Sequence, residues 1–231
     1  MQKLKIFSIK NKKSKNTNIF KSKIYLKNIR TKLLNLNNNK TQDSLLFFFF
    51  NILSVKKLKV LDFGGGAGEY YKDYILPKNI KIDIFDSKDL TKIGRSFPKR
   101  GIKFISDKQF LEKKYDVIFI NSVFQFIKNI DKVLLFLIKF NPKFIIFSDF
   151  YGSKSKKFRI FQNYYNFKMD IYFHNINTLQ KNLKKNGYLL RLISPFIPFV
   201  FGEMQYYDTT NLPKKFQTDF AYNFVFEKSK R

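Results

Sequence analysis

The sequence predicts an α/β protein: a doubly wound, mostly parallel sheet with a basic extension at its N-terminus. Three observations predict it. From Asp43 onward, short apolar runs of strand length alternate with helix-like stretches, the pattern of successive βαβ units. A glycine turn, Gly64-Gly65-Gly66-Ala67-Gly68, sits between the first strand and the helix expected after it. Residues 1–45 hold 12 Lys and Arg against the single acid Asp43, a composition that changes abruptly thereafter. These place an extension at 1–42 and one α/β domain at 43–231.

The elements follow in order. The extension begins as a Lys/Asn-rich tail through Asn18; Leu26, Ile29, Leu33 and Leu36 then carry a weak helical spacing. It reads as a basic arm, as a lid, or as a frayed terminus, the last being favoured. Asp43 or Ser44 can cap a helix bearing Phe47–Phe50. Strands are expected at Lys59–Phe63, Ile80–Phe85, Ile102–Ile105, Tyr115–Ile120 and Lys143–Phe147. Helices are expected at Glu69–Leu76, Lys88–Phe97 and Asp131–Phe140, with a short turn near Gln109. Pro77, Pro98 and Pro142 fall between elements, where a missing N–H does little harm. Tyr151–Asn175 shows no clear periodicity and is expected to cap the sheet's carboxyl edge. A helix at Asn177–Asn186, closed by Gly187, leads to a strand at Tyr188–Ile193, and a last alternating strand runs Phe220–Phe226.

Composition excludes several classes. With 231 residues, 44% hydrophobic and 19% aromatic, the chain can bury a core and is not wholly disordered. Cysteine is absent, which excludes disulfides, thiolate metal sites and a Cys nucleophile. The formal charge of +28 invites a nucleic-acid or anionic-membrane partner. Only six cations are Arg, though, and Ala occurs only at positions 67 and 221, so an A/T-rich coding bias is the favoured origin of the lysines. Arg, the usual reader of phosphates and base edges, is scarce. The longest apolar runs fall far short of the ~20 residues of a spanning helix, and the first 30 residues lack a secretory apolar core. A soluble, cytoplasmic protein is expected.

The glycine turn narrows the ligand. A nucleoside triphosphate loop would need Gly-Lys-Ser/Thr, which is missing. A dinucleotide fingerprint counted from Gly64 would need glycine where Glu69 stands, and Asp62 with Glu69 would crowd a pyrophosphate with like charge. S-adenosylmethionine has no phosphate and carries a sulfonium and an ammonium, so acids beside the turn suit it.

Asp62-x-Gly64-x-Gly66-x-Gly68 resembles motif I of the class I S-adenosylmethionine-dependent methyltransferases. The resemblance continues in order along the chain. Asp86, at the end of the second strand, is where the family's acid holds the ribose hydroxyls. Asp83 and Asp89 are nearby alternatives, and a plain loop acid is another. Ser106-Asp107 ends the third strand, where adenine is often held, though Asp107 reads equally well as a helix cap. Tyr115-Asp116-Val117-Ile118 introduces the fourth strand, which closes at Asn121-Ser122 beside the expected methionine moiety. The implied cofactor set is Asp62, Gly64, Gly65, Gly66, Gly68, Asp86, Asp107, Asn121 and Ser122. Phe124 and Phe126 read as core. The resemblance implies a Rossmann-like, seven-stranded sheet with an antiparallel last strand.

A narrower resemblance, over residues 43–228, is to a poorly characterised family of predicted methyltransferases whose motif I reads Leu-Asp-Phe-Gly-Gly-Gly, here Leu61–Gly66. Its members also show Gln162-Asn163, an aromatic-Asn step at Tyr172 to Asn175, Gly187-Tyr188, and Asn-x-Pro at Asn211 and Pro213. It implies that Gln162 and Asn163 orient a hydroxylated substrate.

Methyl transfer needs proximity above all, and an alcohol acceptor must also lose a proton. Candidate bases are Asp149, closing the fifth strand, and His174, the sole histidine. A strand-terminal Asp is often a turn cap, and a lone His is more often structural. Asn121-Ser122-Val123-Phe124 lacks the prolines with which nucleic-acid amino-methylases grip a flipped base. A small-molecule acceptor, a sugar or surface-glycan intermediate, is therefore preferred. The rival reading is a non-catalytic module that binds RNA or a membrane surface through residues 1–45.

Overall fold

The computed structural model describes residues 19–34, 57–72, 74–164, 167–196, 199–200, 203–204, 209–210, 212–218 and 221–229. Its strands are β1 (Leu58–Phe63), β2 (Ile80–Phe85), β3 (Ile102–Ile105), β4 (Val117–Asn121), β5 (Phe144–Phe150), β6 (Gly152–Ser153), β7 (Phe158–Tyr164), β8 (Phe167–Asn175), β9 (Tyr188–Phe196), β10 (Phe199–Val200), β11 (Glu203–Met204) and β12 (Ala221–Lys228). The helices are α1 (Lys23–Leu34), α2 (Lys88–Arg95), α3 (Ile130–Ile138) and α4 (Ile176–Lys185). Among the described residues, seven strands form one sheet in the order β3-β2-β1-β4-β5-β12-β9. The first five pair in parallel, and β12 runs antiparallel to both β5 and β9. The doubly wound sheet with a reversed last strand is as expected.

Strands that are apolar on both faces need a helical layer on each side. Leu61, Ile118, Ile120, Ile145 and Phe147 face one way, against Leu134 and Leu137 of α3 and Leu179 and Leu183 of α4. Val60, Val117, Phe119 and Ile146 face the other way, towards Tyr71. Each fully buried side chain contributes roughly 1.5–3 kcal/mol. Phe147 adds edge contacts to Phe224 and Phe226, tying β5 to β12.

The extension is more than a tail. Ile29 and Leu33 of α1 are buried against Ala67 of the glycine turn and Leu90 and Ile93 of α2. Lys72 Nζ donates to the Lys32 carbonyl at 3.0 Å. Leu36, the helix predicted to carry Phe47–Phe50, and Asn211 lie outside the described residues.

Two expectations are corrected. The helix predicted over Glu69–Leu76 is a single 3-10 turn, Glu69–Tyr71. The Lys99 ammonium binds the Tyr71 and Lys72 carbonyls, the latter at 2.7 Å, beside a 3-10-type bond from the Tyr74 N–H to the Tyr71 carbonyl at 3.2 Å. The stretch read as aperiodic, Tyr151–Asn175, contains a second sheet in the order β6-β8-β7. Its β7–β8 hairpin buries Ile160, Ile171 and Phe173 against Tyr151 and Leu212.

Candidate active site

At the carboxyl end of β1 the chain turns through Gly64, Gly66 and Gly68, with φ of 80°, 63° and 78°. At Gly64 a Cβ would stand 2.5 Å from a Val123 methyl, so the loop after β4 lies directly on the turn. At Gly66 the left-handed backbone aims its N–H at Asp86 Oδ2, 2.8 Å away. The Ser87 N–H holds the other oxygen of Asp86 at 2.6 Å.

Three carboxylates gather around this turn. Asp62, 1% exposed, accepts the Tyr71 hydroxyl hydrogen at 2.9 Å on Oδ2, while its Oδ1 is buried with no partner. Glu69 Oε2 accepts the Ala67 N–H at 3.0 Å. Burial pushes the Asp62 carboxyl up to about 7, against the lowering effect of Tyr71 and with further elevation from Asp86 and Glu69. Burial likewise raises Glu69 and Asp86, opposed by their backbone N–H partners and, for Glu69, by Lys32. The site is a desolvated cluster of carboxylates, and one oxygen of the most buried of them has no hydrogen-bond partner. Such an arrangement favours a ligand bringing a cation and hydrogen-bond donors, and opposes a diphosphate.

A second group forms where β4 and β5 end. Asn121 pairs with Ser148, which brings the next residues, Ser122 and Asp149, side by side. The Ser122 hydroxyl donates to the Asp149 carboxylate and lies 3.3 Å from Asn121 Oδ1. Ser122 and Asp149 both have left-handed backbone, φ 54° and 52°. Strain of about 1–3 kcal/mol at each such residue must be held by its surroundings.

The remaining sequence candidates hold other partners. Asp107 is exposed and caps the 3-10 turn Lys108–Phe110 through the Gln109 N–H at 3.1 Å. His174 is buried in β8, with Nε2 2.8 Å from the Phe124 carbonyl. Burial drives its pKa down to about 4, so the ring is neutral. Gln162 and Asn163 pair with Met169 and Lys168 near the closed end of the hairpin, four and five rungs beyond the Phe158–Phe173 pair.

Sequence reasoning gave no site role to Tyr71, Glu69 or Gln125. Glu69 directly follows Gly68, but it was read there as the first residue of a helix and as a charge against pyrophosphate. Tyr71 becomes visible only once the turn brings it over Asp62. Gln125 is 3% exposed and its Oε1 has no partner, two residues beyond the Val123 that covers Gly64. Nothing in the sequence marks it.

No family model matches the chain. A curated relative, an uncharacterised protein of Methanocaldococcus jannaschii, is 36% identical over 84 residues, covering 35% of this chain. The match spans 38% of that relative's length. Among solved structures, magnesium protoporphyrin IX methyltransferase from Synechocystis PCC 6803, with bound S-adenosylhomocysteine, superposes with a TM-score of 0.58 at 13% identity, over 90% of this chain and 95% of that one. The 1,6-didemethyltoxoflavin N1-methyltransferase of Burkholderia thailandensis gives 0.52 at 11% identity, over 79% and 76%. The fold is the one these methyltransferases share. That agreement concerns architecture: a seven-stranded, mostly parallel sheet whose last strands run antiparallel.

Proposed function

We propose that this chain is an S-adenosylmethionine-dependent methyltransferase acting on a small hydroxylated acceptor, a sugar or surface-glycan intermediate. The observation that carries the proposal is the orphaned Asp62 Oδ1, buried beside two further desolvated carboxylates under a glycine turn. A cationic ligand with ribose hydroxyls suits that floor, since it supplies positive charge and donors where the protein leaves acceptors unmet. Asp62 and Glu69 would face the cation, Asp86 would grip the ribose, and Asn121 with Ser122 would border the methionine end. Asp107 would reach adenine by giving up its cap.

When bound, the cofactor supplies a methyl group already activated by positive sulfur. The chain's own part is to hold the acceptor oxygen in line and take its proton. Asp149 is assigned that proton, with Ser122 fixing the carboxylate's orientation. His174 is assigned a structural role, because its ring is neutral, buried and tied to the Phe124 carbonyl. Gln162 and Asn163 would meet a substrate only if it reaches along the hairpin. Helix α1 belongs with the catalytic unit, since it buries one side of the glycine turn.

Calorimetric titration of the full chain with S-adenosylhomocysteine tests the assignment. Saturable one-to-one binding is expected. Its absence, together with no cofactor in mass spectra of the purified protein, would refute the proposal.

A further inference from the structure

Apart from the glycine turn, the fold contains a cavity of ≈ 460 Å³ between the first turns of α3 and α4 and the segment joining β6 to β7. That volume lies in the range of small-molecule sites, about 300–1,000 Å³. Its charge is one-sided. Lys154, Lys156 and Lys157 line it, against the single carboxylate of Asp131. Asp131 accepts the Asn182 amide at 2.8 Å and is held towards α4. Lys157 is engaged with the Lys128 carbonyl and lies over the Tyr172 ring. The ion pairs among the described residues leave Lys154 and Lys156 without a carboxylate.

The lysine turn is built rather than loose. Ser153 Oγ accepts the Ser155 N–H at 3.2 Å and donates to the Lys156 carbonyl at 3.2 Å. The Asn175 amide donates to the Ser155 carbonyl, while its oxygen accepts the Thr178 N–H at 2.7 Å and so caps α4. One side chain thus fixes the lysine turn to the helix start. The buried His174, neutral and bonded to Phe124, closes the wall behind it. On the α3 side, Asn129 makes no side-chain cap bond at the start of that helix, beside Ile130 and Asp131. Ammonium groups and the first turns of two helices thus border one partly open volume.

We infer that this cavity is a binding site for a small molecule bearing a phosphate group. A free cation is repelled there and an apolar ligand would strand the ammoniums, whereas a phosphate monoester meets both the charge and the donors. The inference stands on the cavity alone and does not depend on methyl transfer.

The test is calorimetric titration of the full chain, without cofactor, using inorganic phosphate and then phenyl phosphate at fixed ionic strength. Saturable binding is expected for both, tighter for the ester, which also fills the volume. Lys154→Ala with Lys156→Ala should weaken it about tenfold or more. Lys139→Ala with Lys184→Ala removes the same charge from the opposite ends of α3 and α4, and should change affinity less than about twofold. Circular dichroism of both pairs establishes that they fold. Equal weakening by the two pairs would reduce the effect to net charge and overturn the inference. No saturable binding by the unaltered chain would overturn it too.

Discussion

The Ser122 hydroxyl donates to the Asp149 carboxylate from a left-handed residue to a left-handed residue, at the neighbouring ends of β4 and β5. Two strained non-glycine residues are thus bonded to each other at the edge where such sheets bind ligands, an arrangement that carries a conformational cost. If Asp149 takes the acceptor's proton, Asp149→Asn should lower labelled-methyl transfer to hydroxylated acceptors by about 10²–10⁴-fold. Affinity for S-adenosylhomocysteine should stay within about threefold. An equal loss of both would make Asp149 part of the cofactor site instead.

Asp62 gives a prediction on stability. Its folded-state pKa, about 7, lies above its ordinary value of 3.8. Between those values the native state binds more protons than the unfolded chain, so this residue makes stability fall as pH rises from about 4 to 7 and level off above. Asp62→Asn removes the penalty and keeps an acceptor for Tyr71. Denaturant unfolding should show the variant more stable than the unaltered chain at pH 8, by on the order of 1–3 kcal/mol, and not at pH 4. The same variant should lose cofactor affinity. Reduced stability at pH 8 would mean the charged carboxylate is satisfied in the native state.

Asp86 spends its oxygens on the Gly66 and Ser87 N–H groups, yet each oxygen retains a lone pair for a hydroxyl. Asp86→Ala should weaken S-adenosylhomocysteine binding by about 1.5–3 kcal/mol, the worth of one or two hydrogen bonds to a charged group. Calorimetry on Asp89→Ala, whose residue sits exposed in the first turn of α2, provides the contrast and should show little change. A reversal of the two would move the ribose contact to Asp89.

How much of this was legible beforehand follows from the range of the interactions. β2 and β3 start and stop at the residues expected from the sequence, because their Ile- and Phe-rich stretches are a local signal. Gly187 closes α4 at φ 83° for an equally local reason. The turn at Glu69–Tyr71 was misread because its end is tied to Lys99, far along the chain, whose ammonium binds the Tyr71 and Lys72 carbonyls. The hairpin was missed for a different reason. Met169, Ile171 and Phe173 alternate inward, a period-two signal hidden by aromatic and charged residues on the other face. The glycine turn and Asp86 could be placed from spacing. The Asp62–Tyr71 bond and the Ser122–Asp149 pair depend on tertiary geometry that no spacing encodes.

His174 should behave as a structural residue. Its folded-state pKa of about 4 lies below the ordinary 6.5. The unfolded chain therefore binds the extra proton between those values, and this residue makes stability rise with pH from about 4 to 6.5. His174→Ala removes that rise, opens a cavity beside Phe150, and takes one of two donors from the Phe124 carbonyl, which keeps the Ile127 N–H. A loss of about 2–4 kcal/mol in denaturant unfolding is expected at pH 7, with S-adenosylhomocysteine affinity retained. A stable variant that binds cofactor but transfers no methyl would return His174 to the catalytic candidates.

The packing of α1 makes the last prediction. Ile29 is 3% exposed and, with Leu33, covers Ala67 of the glycine turn. An acid at position 29 would put an unpaired charge into that contact, a cost large enough to release a helix otherwise anchored by Leu33 and the half-buried Tyr25 and Leu26. Ile29→Asp should therefore detach α1 while the sheet stays folded. Hydrogen exchange would then speed up at Ala67 and Gly68, with protection in β4 and β5 unchanged, because those strands are buried by α3, α4 and Tyr71. Cofactor affinity should drop with it, since Lys32 no longer offsets the charge on Glu69 and the turn loses its support. If exchange at the turn stays slow, α1 is bystander packing, and the basic segment has no part in holding the site.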